Sequence, residues 1–590
     1  MTTLNNQTTV NIQEKSNLIW SIADIIRDVY KPHEYGNVIL PCTVLKRFND
    51  VLIGTKQKVM ETNEKVKHLE VKEGFLERAS GYQFYNVSEF DFHKLADDST
   101  HIEKNFRDFL HGFSDNVQDI IDNFEFDVEV TKLANNGLLY HIIKEFDKPA
   151  AYMGIDKITA VDMGYIFEDL IKRFSESYDE QAGAHFTSRD IIYLMTDILV
   201  AEDKEQMLKE GVSKTIYDMT MGTSQMLTCM TERLTEIDEN ADVHLFGQEI
   251  NAKTFAIAKA DMLIRGGNSD NMRKGNTLSD DKFKDYKFDY IISNPPFGID
   301  WKSAKEDVEK EAALGDLGRF APGLPKISDG QMLFDLNGIS KLKDDGRMAI
   351  IHNGSSLFTG GAGSGESEIR RYIIENDWLD CIIQLSTDVF YNTGITTYIW
   401  IISKGKSERR KGKIQLINAS KMVEARKKNI GNKRYDITDT CRDIVVKAYK
   451  EFKNNEVYEW KDKVCESKIF DNKEFGYSRI QVESPMLDEN GNIITKGKKN
   501  QPVADAAKRD YENVPLKEDI DIYFEREVEP YNSHAWIDKT KTKIGYEIPF
   551  TKYFYTYDAP EESEIIAERL IGYEKAIMAS LNKLFGKEVE

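Results

Sequence analysis

Apolar positions along the chain fall into distinct regimes. Up to about residue 150 they recur every three or four residues, as in Leu18, Ile19, Ile22, Ile25 and Ile26, and again in Phe106, Phe109, Leu110 and Phe113. That period turns one side of a helix toward a core and predicts a helical domain over 1–150. Between 151 and 405 short apolar runs take over: Ser213–Tyr217, Val243–Gln248, Tyr290–Ser293, Met348–His352, Leu379–Leu385 and Thr397–Ser403. Strand-length runs separated by helical stretches predict an α/β domain with a mostly parallel sheet. Ligands of such sheets sit beyond the carboxyl ends of the strands, near the switch in strand order. From 406 to 559 the chain is rich in Lys, Asp, Glu and Asn, and Leu487–Asp505 reads as a polar loop or linker. Lys404–Lys413 and Lys421–Lys433 hold basic clusters, which are either solvated faces or phosphate-contacting segments. Residues 560–590 return to helical spacing, with Ile566, Leu570, Tyr573, Ile577, Leu581 and Leu584 forming an apolar stripe. The stripe packs either on its own domain or on a partner helix.

Composition narrows the class. A chain of 590 residues, 41% hydrophobic and 30% charged, is expected to form several soluble domains. It holds no run near the roughly 18 apolar residues of a membrane helix, and Met1–Lys15 is too polar for a secretory signal. Five scattered cysteines, Cys42, Cys229, Cys381, Cys441 and Cys465, fit a reducing cytoplasm. No two of them have metal-ligand spacing and the histidines form no ligand motif, so no metal site is expected. The net charge of -21 argues against strong autonomous binding to nucleic acid. It leaves room for a local basic groove, or for a partner that carries most phosphate contacts.

The sharpest chemical signal is Asn294-Pro295-Pro296-Phe297, directly after the apolar run Phe288–Ser293. Two prolines cannot continue a sheet, and they stiffen the exit of the strand. The result presents one amide, one carbonyl and one ring. Asn294 and the Pro295 carbonyl can accept the two N–H bonds of an exocyclic amine, while Phe297 stacks on a planar ring. Adenine is such a substrate. Four more segments point the same way. Thr215–Asp218 ends a strand in a carboxylate and leads through Gly222 and Thr223 into an apolar helix, which makes a cradle of glycine backbone and free helix N–H groups. Glu249 ends the next strand, where an acidic residue can take ribose hydroxyls. Asn276 precedes the strand to Asn294 and can bond an adenine ring or simply close a turn. Gly183–Ser188 opens a further helix, with Phe186 placed to pack on a cofactor or in the core and Thr187 or Ser188 placed to cap.

In this order and spacing the segments resemble the N6-adenine DNA methyltransferases. More closely, the chain resembles the methylation subunit of type I restriction-modification systems. Val44–Phe48, Gly183–Thr187, Phe246–Glu249, Asn276–Leu278, Ser328–Gln331, Val389–Gly394 and Lys543–Phe550 all carry that resemblance, which covers about residues 10 to 586. It implies a Rossmann-like S-adenosylmethionine-dependent methyltransferase domain with an N-terminal helical domain and a C-terminal helix. It implies S-adenosylmethionine as cofactor, held by Phe186, Thr187, Asp218, Gly222, Thr223, Glu249 and Asn276, and catalysis by Asn294, Pro295, Pro296 and Phe297 on an adenine flipped from double-stranded DNA. The implied partners are a specificity subunit, a restriction subunit and a second copy of the chain, all cytoplasmic, with no membrane. The chain departs from the family pattern at Met219, Ser188, Ser224-Gln225 and Asn276, where larger or uncharged side chains are expected to narrow or weaken the cradle. Competing readings are a scaffold subunit without catalysis, a protein-glutamine methyltransferase, and an adenine methyltransferase with its own target-recognition domain.

Overall fold

The computed structural model describes residues 14–177, 187–202, 213–391, 393–497, 501–555 and 561–585. The chain forms two compact units, Met1–Ile548 and Pro549–Glu590.

The first part of the larger unit is helical, as the spacing predicts. The helix Gly36–Leu52 is buried almost throughout, Pro41 included. Around it Phe48, Phe84, Phe109 and Phe113 meet mostly edge to face, with Phe48 and Phe84 centroids 4.8 Å apart. This core does not stop near 150. It takes in Met163, Ile166, Phe167 and Leu170 of the helix Ala160–Ser177, together with Ala256, Ile257, Ala260 and Leu263 of Ala252–Ile264. The last of these helices belongs to the α/β part, so the helical layer packs on that part through Ala252–Ile264.

The sheet has ten strands. They are β1 Ser213–Asp218, β2 Asp242–Glu249, β3 Met272–Lys274, β4 Phe288–Ser293, β5 Leu342–Asn353, β6 Leu379–Gln384, β7 Thr397–Ser403 and β8 Lys413–Asn418, joined beyond an intervening hairpin by β11 Glu456–Trp460 and β12 Lys463–Asp471. The hairpin is β9 Glu424–Ile430 with β10 Lys433–Asp436. Across the sheet the order is β11-β12-β8-β6-β7-β5-β4-β1-β2-β3. Pairs β2–β3, β1–β2, β1–β4, β4–β5 and β6–β8 are parallel; β7 runs antiparallel to both β5 and β6. The chain steps outward from β1 to β3 and then returns to β4 on the other side of β1. The switch point therefore lies between β1 and β4. The sheet also continues beyond residue 405, through β8, β12 and β11. The Lys404–Lys413 cluster is partly internal: Lys406 and Arg410 are buried, with Arg410 stacked 3.9 Å from the Tyr449 ring centroid and bonded to Asp380.

All five cysteines are buried and none is in a disulfide. Burial pushes the thiols of Cys381 and Cys465 well up. Among the described residues no helix is long and apolar enough to cross a membrane. The smaller unit holds the short helix Phe550–Phe554 and the 23-residue helix Ser563–Phe585, on which Ile566, Leu570, Tyr573 and Ile577 are exposed.

Candidate active site at the carboxyl ends of the central strands

Asp218, Glu249 and Asn294 come together because β1, β2 and β4 are parallel neighbours that end at one edge. Asp218 is fully buried. Its Oδ1 accepts from Ser293 Oγ at 2.7 Å and from the Thr220 N–H at 3.0 Å. Thr220 Oγ1 lies 2.8 Å from Ser293 Oγ, so the last residue of β4 is tied to the first turn after β1. Asp218 Oδ2 has no partner among the described residues. Burial, with the nearby Glu249 charge, raises the Asp218 carboxyl to about 7 against the pull of the Ser293 and Thr220 bonds.

The half-buried Glu249 holds the loop shape. Its Oε2 accepts from the Gly222 N–H at 2.9 Å and its Oε1 from the Asn251 N–H at 2.7 Å. Burial raises this carboxyl as well, opposed by those backbone bonds. Gly222 has φ +54°, a conformation glycine adopts at no steric cost. Ser224 adopts φ +62° without that freedom, is fully buried, and its hydroxyl finds no partner among the described residues. This is one of the departures from the family pattern, and here it costs backbone strain. Ser224→Gly should stabilise the protein by about 1 kcal/mol, read as a rise in the thermal midpoint. An unchanged or lower midpoint would show that the turn carries no strain.

Asn294 is half-buried at the exit of β4. Its Nδ2 donates to Thr187 Oγ1 at 2.9 Å, and its Oδ1 has no partner among the described residues. Thr187 thus fixes which end of the amide is left as an acceptor. Pro295 is buried, and Phe297 is half-buried against the sheet core. The loop beyond is pinned from β5: the Gly298 N–H donates to Asp329 Oδ1 at 3.3 Å, the Gly330 N–H donates to the Ile299 carbonyl, and Gln331 Nε2 reaches Asp329 Oδ2 at 2.7 Å and Asn353 Oδ1 at 2.9 Å. A small cavity lined by Thr187, Asp218, Thr220, Met221, Thr223, Gln225, Met226 and Asn294 lies between the turn after β1 and the loop after β4.

Most of the expected residues therefore converge. Asn276 lies two residues past β3, where its Oδ1 accepts the Leu278 N–H at 3.0 Å and closes a turn. Phe186, with Gly183–His185, lies outside the described residues. Ser188 takes the N-cap position but makes no side-chain cap; its hydroxyl instead accepts from Lys433 Nζ at 3.1 Å. Met219 does not crowd the loop. It is buried beneath it, where its Sδ accepts from Asn337 Nδ2 at 3.4 Å and its carbonyl accepts from Thr277 Oγ1 at 2.5 Å. Sequence reasoning gave Ser293, Thr220, Asp329 and Lys433 no individual role at the site, although Asp329 falls in the Ser328–Gln331 segment of the family resemblance and Lys433 ends a basic cluster. Ser293 carried a local signal as the polar residue ending an otherwise apolar strand.

A switch-point sheet with acidic residues closing β1 and β2 and an Asn-Pro-Pro-Phe loop closing β4 defines a Rossmann-like methyltransferase. The comparisons with known proteins agree: residues 159–479 match the N-6 DNA Methylase family and residues 15–146 the HsdM N-terminal domain. The chain belongs to the N-6 DNA methylase family, as a methylation subunit of the type I restriction-modification kind. It is similar to the type I restriction enzyme MjaIX methylase subunit of Methanocaldococcus jannaschii, 23% identical over 82% of this chain and 83% of that one. The HindI methylase subunit of Haemophilus influenzae is 27% identical over 44% of this chain and 54% of its own length. A solved type I methyltransferase subunit from Streptococcus thermophilus shares the fold with TM-score 0.58 and 22% identity, over 78% of this chain and 96% of that chain.

Proposed function

We propose that the chain transfers a methyl group from S-adenosylmethionine to N6 of an adenine flipped out of duplex DNA, as the modification subunit of a type I restriction-modification complex. The observation that carries the reading is the buried, unpartnered Asn294 Oδ1, held in place through its Nδ2 by Thr187 and set beside the Asp218 cradle. An unpaired buried acceptor is costly unless a ligand donor satisfies it. Asn294 Oδ1 and the Pro295 carbonyl take the two N–H bonds of the adenine amine, and Phe297 meets the ring face. With both N–H bonds taken, the nitrogen lone pair points toward the cradle, so the rate gain comes chiefly from alignment. Extrusion of the base costs roughly a few kcal/mol, offset by these contacts.

The orphan Asp218 Oδ2, the glycine turn and the carboxylate of Glu249 fit the cofactor's charge and hydroxyls. Asp218, Gly222 and Thr223 would line its methionine side, Glu249 would take ribose hydroxyls, and Asn276 and Phe186 would face its adenine. The bound cofactor supplies an electrophilic methyl group on a sulfonium. The helix Ser563–Phe585, with its exposed apolar residues, suits docking on a specificity subunit; a restriction subunit and a second copy of this chain complete the assembly.

The direct test is incubation with S-adenosylmethionine and duplex DNA in the presence of the specificity subunit, followed by nucleoside mass spectrometry for N6-methyladenine. Absence of that base with intact cofactor binding would favour a scaffold role.

Cofactor affinity should depend on pH. In the ligand-free protein Asp218 titrates near 7, so below that pH binding of a cationic ligand must first expel a proton, and above it the carboxylate is already charged. Affinity should therefore rise about tenfold from pH 6 to pH 8, and Asp218→Asn should flatten the profile. Calorimetric titration across that range checks it; a flat wild-type profile would remove Asp218 from the cofactor's charge environment.

A further inference from the structure

The hairpin β9–β10 is not part of the ten-stranded sheet, yet it is fixed firmly at the edge where the site opens. β8 is parallel to β6, so it leaves the sheet at the same edge as the ends of β1 and β4, and the hairpin follows it. The Asn432 N–H donates to the Tyr391 carbonyl at 2.8 Å and the Arg434 N–H to the Asp388 carbonyl at 2.8 Å, both acceptors lying past the end of β6. Gly431 has φ +54°, and a Cβ there would meet the Tyr391 carbonyl oxygen at 2.4 Å, so the turn seats backbone on backbone. The deepest anchor is Lys433, 1% exposed, whose Nζ reaches Asp190 Oδ2 at 2.9 Å, the Val389 carbonyl at 3.0 Å and Ser188 Oγ at 3.1 Å. Asp190 Oδ2 also accepts the Ile437 N–H at 2.8 Å. Ser188 adjoins Thr187, the residue that orients Asn294.

A two-stranded ribbon is marginal on its own. This one is held by polar anchors on its return strand, which leaves its outer positions free for something else. Those positions are basic. Lys427, Lys428 and Arg434 are exposed, as is Lys421 just before the hairpin. Among the described residues none of the four forms an ion pair. The hairpin's acidic residues are already engaged, Asp436 by Arg426 and Glu424 by Lys461. On a chain of net charge -21, a basic ribbon without ion pairs at these positions among the described residues, fastened one residue from the threonine that holds Asn294, is a local attractive field for an anion.

We propose that the β9–β10 hairpin is an arm that binds the phosphate backbone of duplex DNA beside the target-base pocket, with Lys427, Lys428 and Arg434 as its contacts. This rests on the reading of the site as a DNA methyltransferase. Lys433 serves as the bolt that holds the arm to the Thr187–Asp190 segment.

The test measures affinity of the full chain for a fluorescent duplex across a salt series. Each phosphate contact steepens the slope of log affinity against log salt by about 0.9, so the triple variant Lys427→Gln/Lys428→Gln/Arg434→Gln should flatten it by about 2.7. The variant Lys473→Gln/Lys496→Gln/Lys541→Gln removes the same charge elsewhere and should keep the wild-type slope. Cofactor affinity and thermal midpoint should match wild type in both. An unchanged slope in the hairpin variant, an equal loss in the control, or no duplex binding by wild type overturns the proposal. Formation of N6-methyladenine by wild type is scored separately, so a flattened slope without methylation would leave the arm standing and sink the functional reading instead.

Discussion

Replacing Asn294 by alanine should lower the rate of methyl transfer by roughly a hundred- to a thousandfold while leaving cofactor affinity unchanged, because the substitution deletes an acceptor that acts on the reacting amine. The structure gives reason to expect a clean result. Among the described residues Asn294 Oδ1 bonds nothing, so its loss strands no other group there, and the bond removed is the one from Nδ2 to Thr187. That neutral bond is worth about 1 kcal/mol, too little to unfold the domain. Single-turnover methylation with pre-bound cofactor reads the chemical step directly. Activity retained in the variant would sink the assignment of the amine to this loop, and lost cofactor binding would move Asn294 into the cradle.

Glu249→Ala should have the complementary outcome: cofactor affinity falls by more than about a hundredfold, since hydrogen bonds to a charged acceptor contribute roughly 1.5–3 kcal/mol each. Two losses coincide at this residue. The ribose hydroxyls lose their acceptor, and the Gly222 and Asn251 amides lose the carboxylate that sets the loop. Glu249→Gln separates them. It keeps the volume and one acceptor oxygen, so it should bind more tightly than the alanine variant and less tightly than wild type. Calorimetry on the three proteins settles the order; equal affinity in all three would place the ribose elsewhere.

How far the fold could be read from the sequence depended on whether its stabilising contacts were local. β4 and β7 are buried at every position, and such unbroken apolar runs stand out against any background. β5 begins at Leu342, well before the run that announced it at Met348, because the polar residues 343–346 lead into the strand without an apolar signal. β3 has three residues and no period to detect. β8 is interrupted by Gln415 and β12 by Glu466, Ser467 and Lys468, which hid the sheet's continuation beyond 405. Within the site, the strand-end residues were legible because a parallel sheet places them together by rule. Their partners were not. Thr187 and Asn294 are 107 residues apart, Asp218 and Ser293 75, and Lys433 and Asp190 243. Contacts of that separation leave no trace in local composition. The basic clusters show the same limit from the other side. One contributes Lys406 and Arg410 to buried networks, while the other exposes Lys421, Lys427 and Lys428 and buries only Lys433 among its lysines, although the two read alike along the chain.

The five buried thiols have a practical corollary. With every native cysteine buried, and the thiols of Cys42, Cys381 and Cys465 pushed up by that burial, a maleimide added to the folded protein finds its native targets shielded by packing. One cysteine introduced on the Ser563–Phe585 helix, or at the tip of the β9–β10 ribbon, becomes a unique handle without first building a cysteine-free background. Spin labels, fluorophores or photocrosslinkers placed there would report which surfaces each element meets as the complex assembles and as DNA arrives.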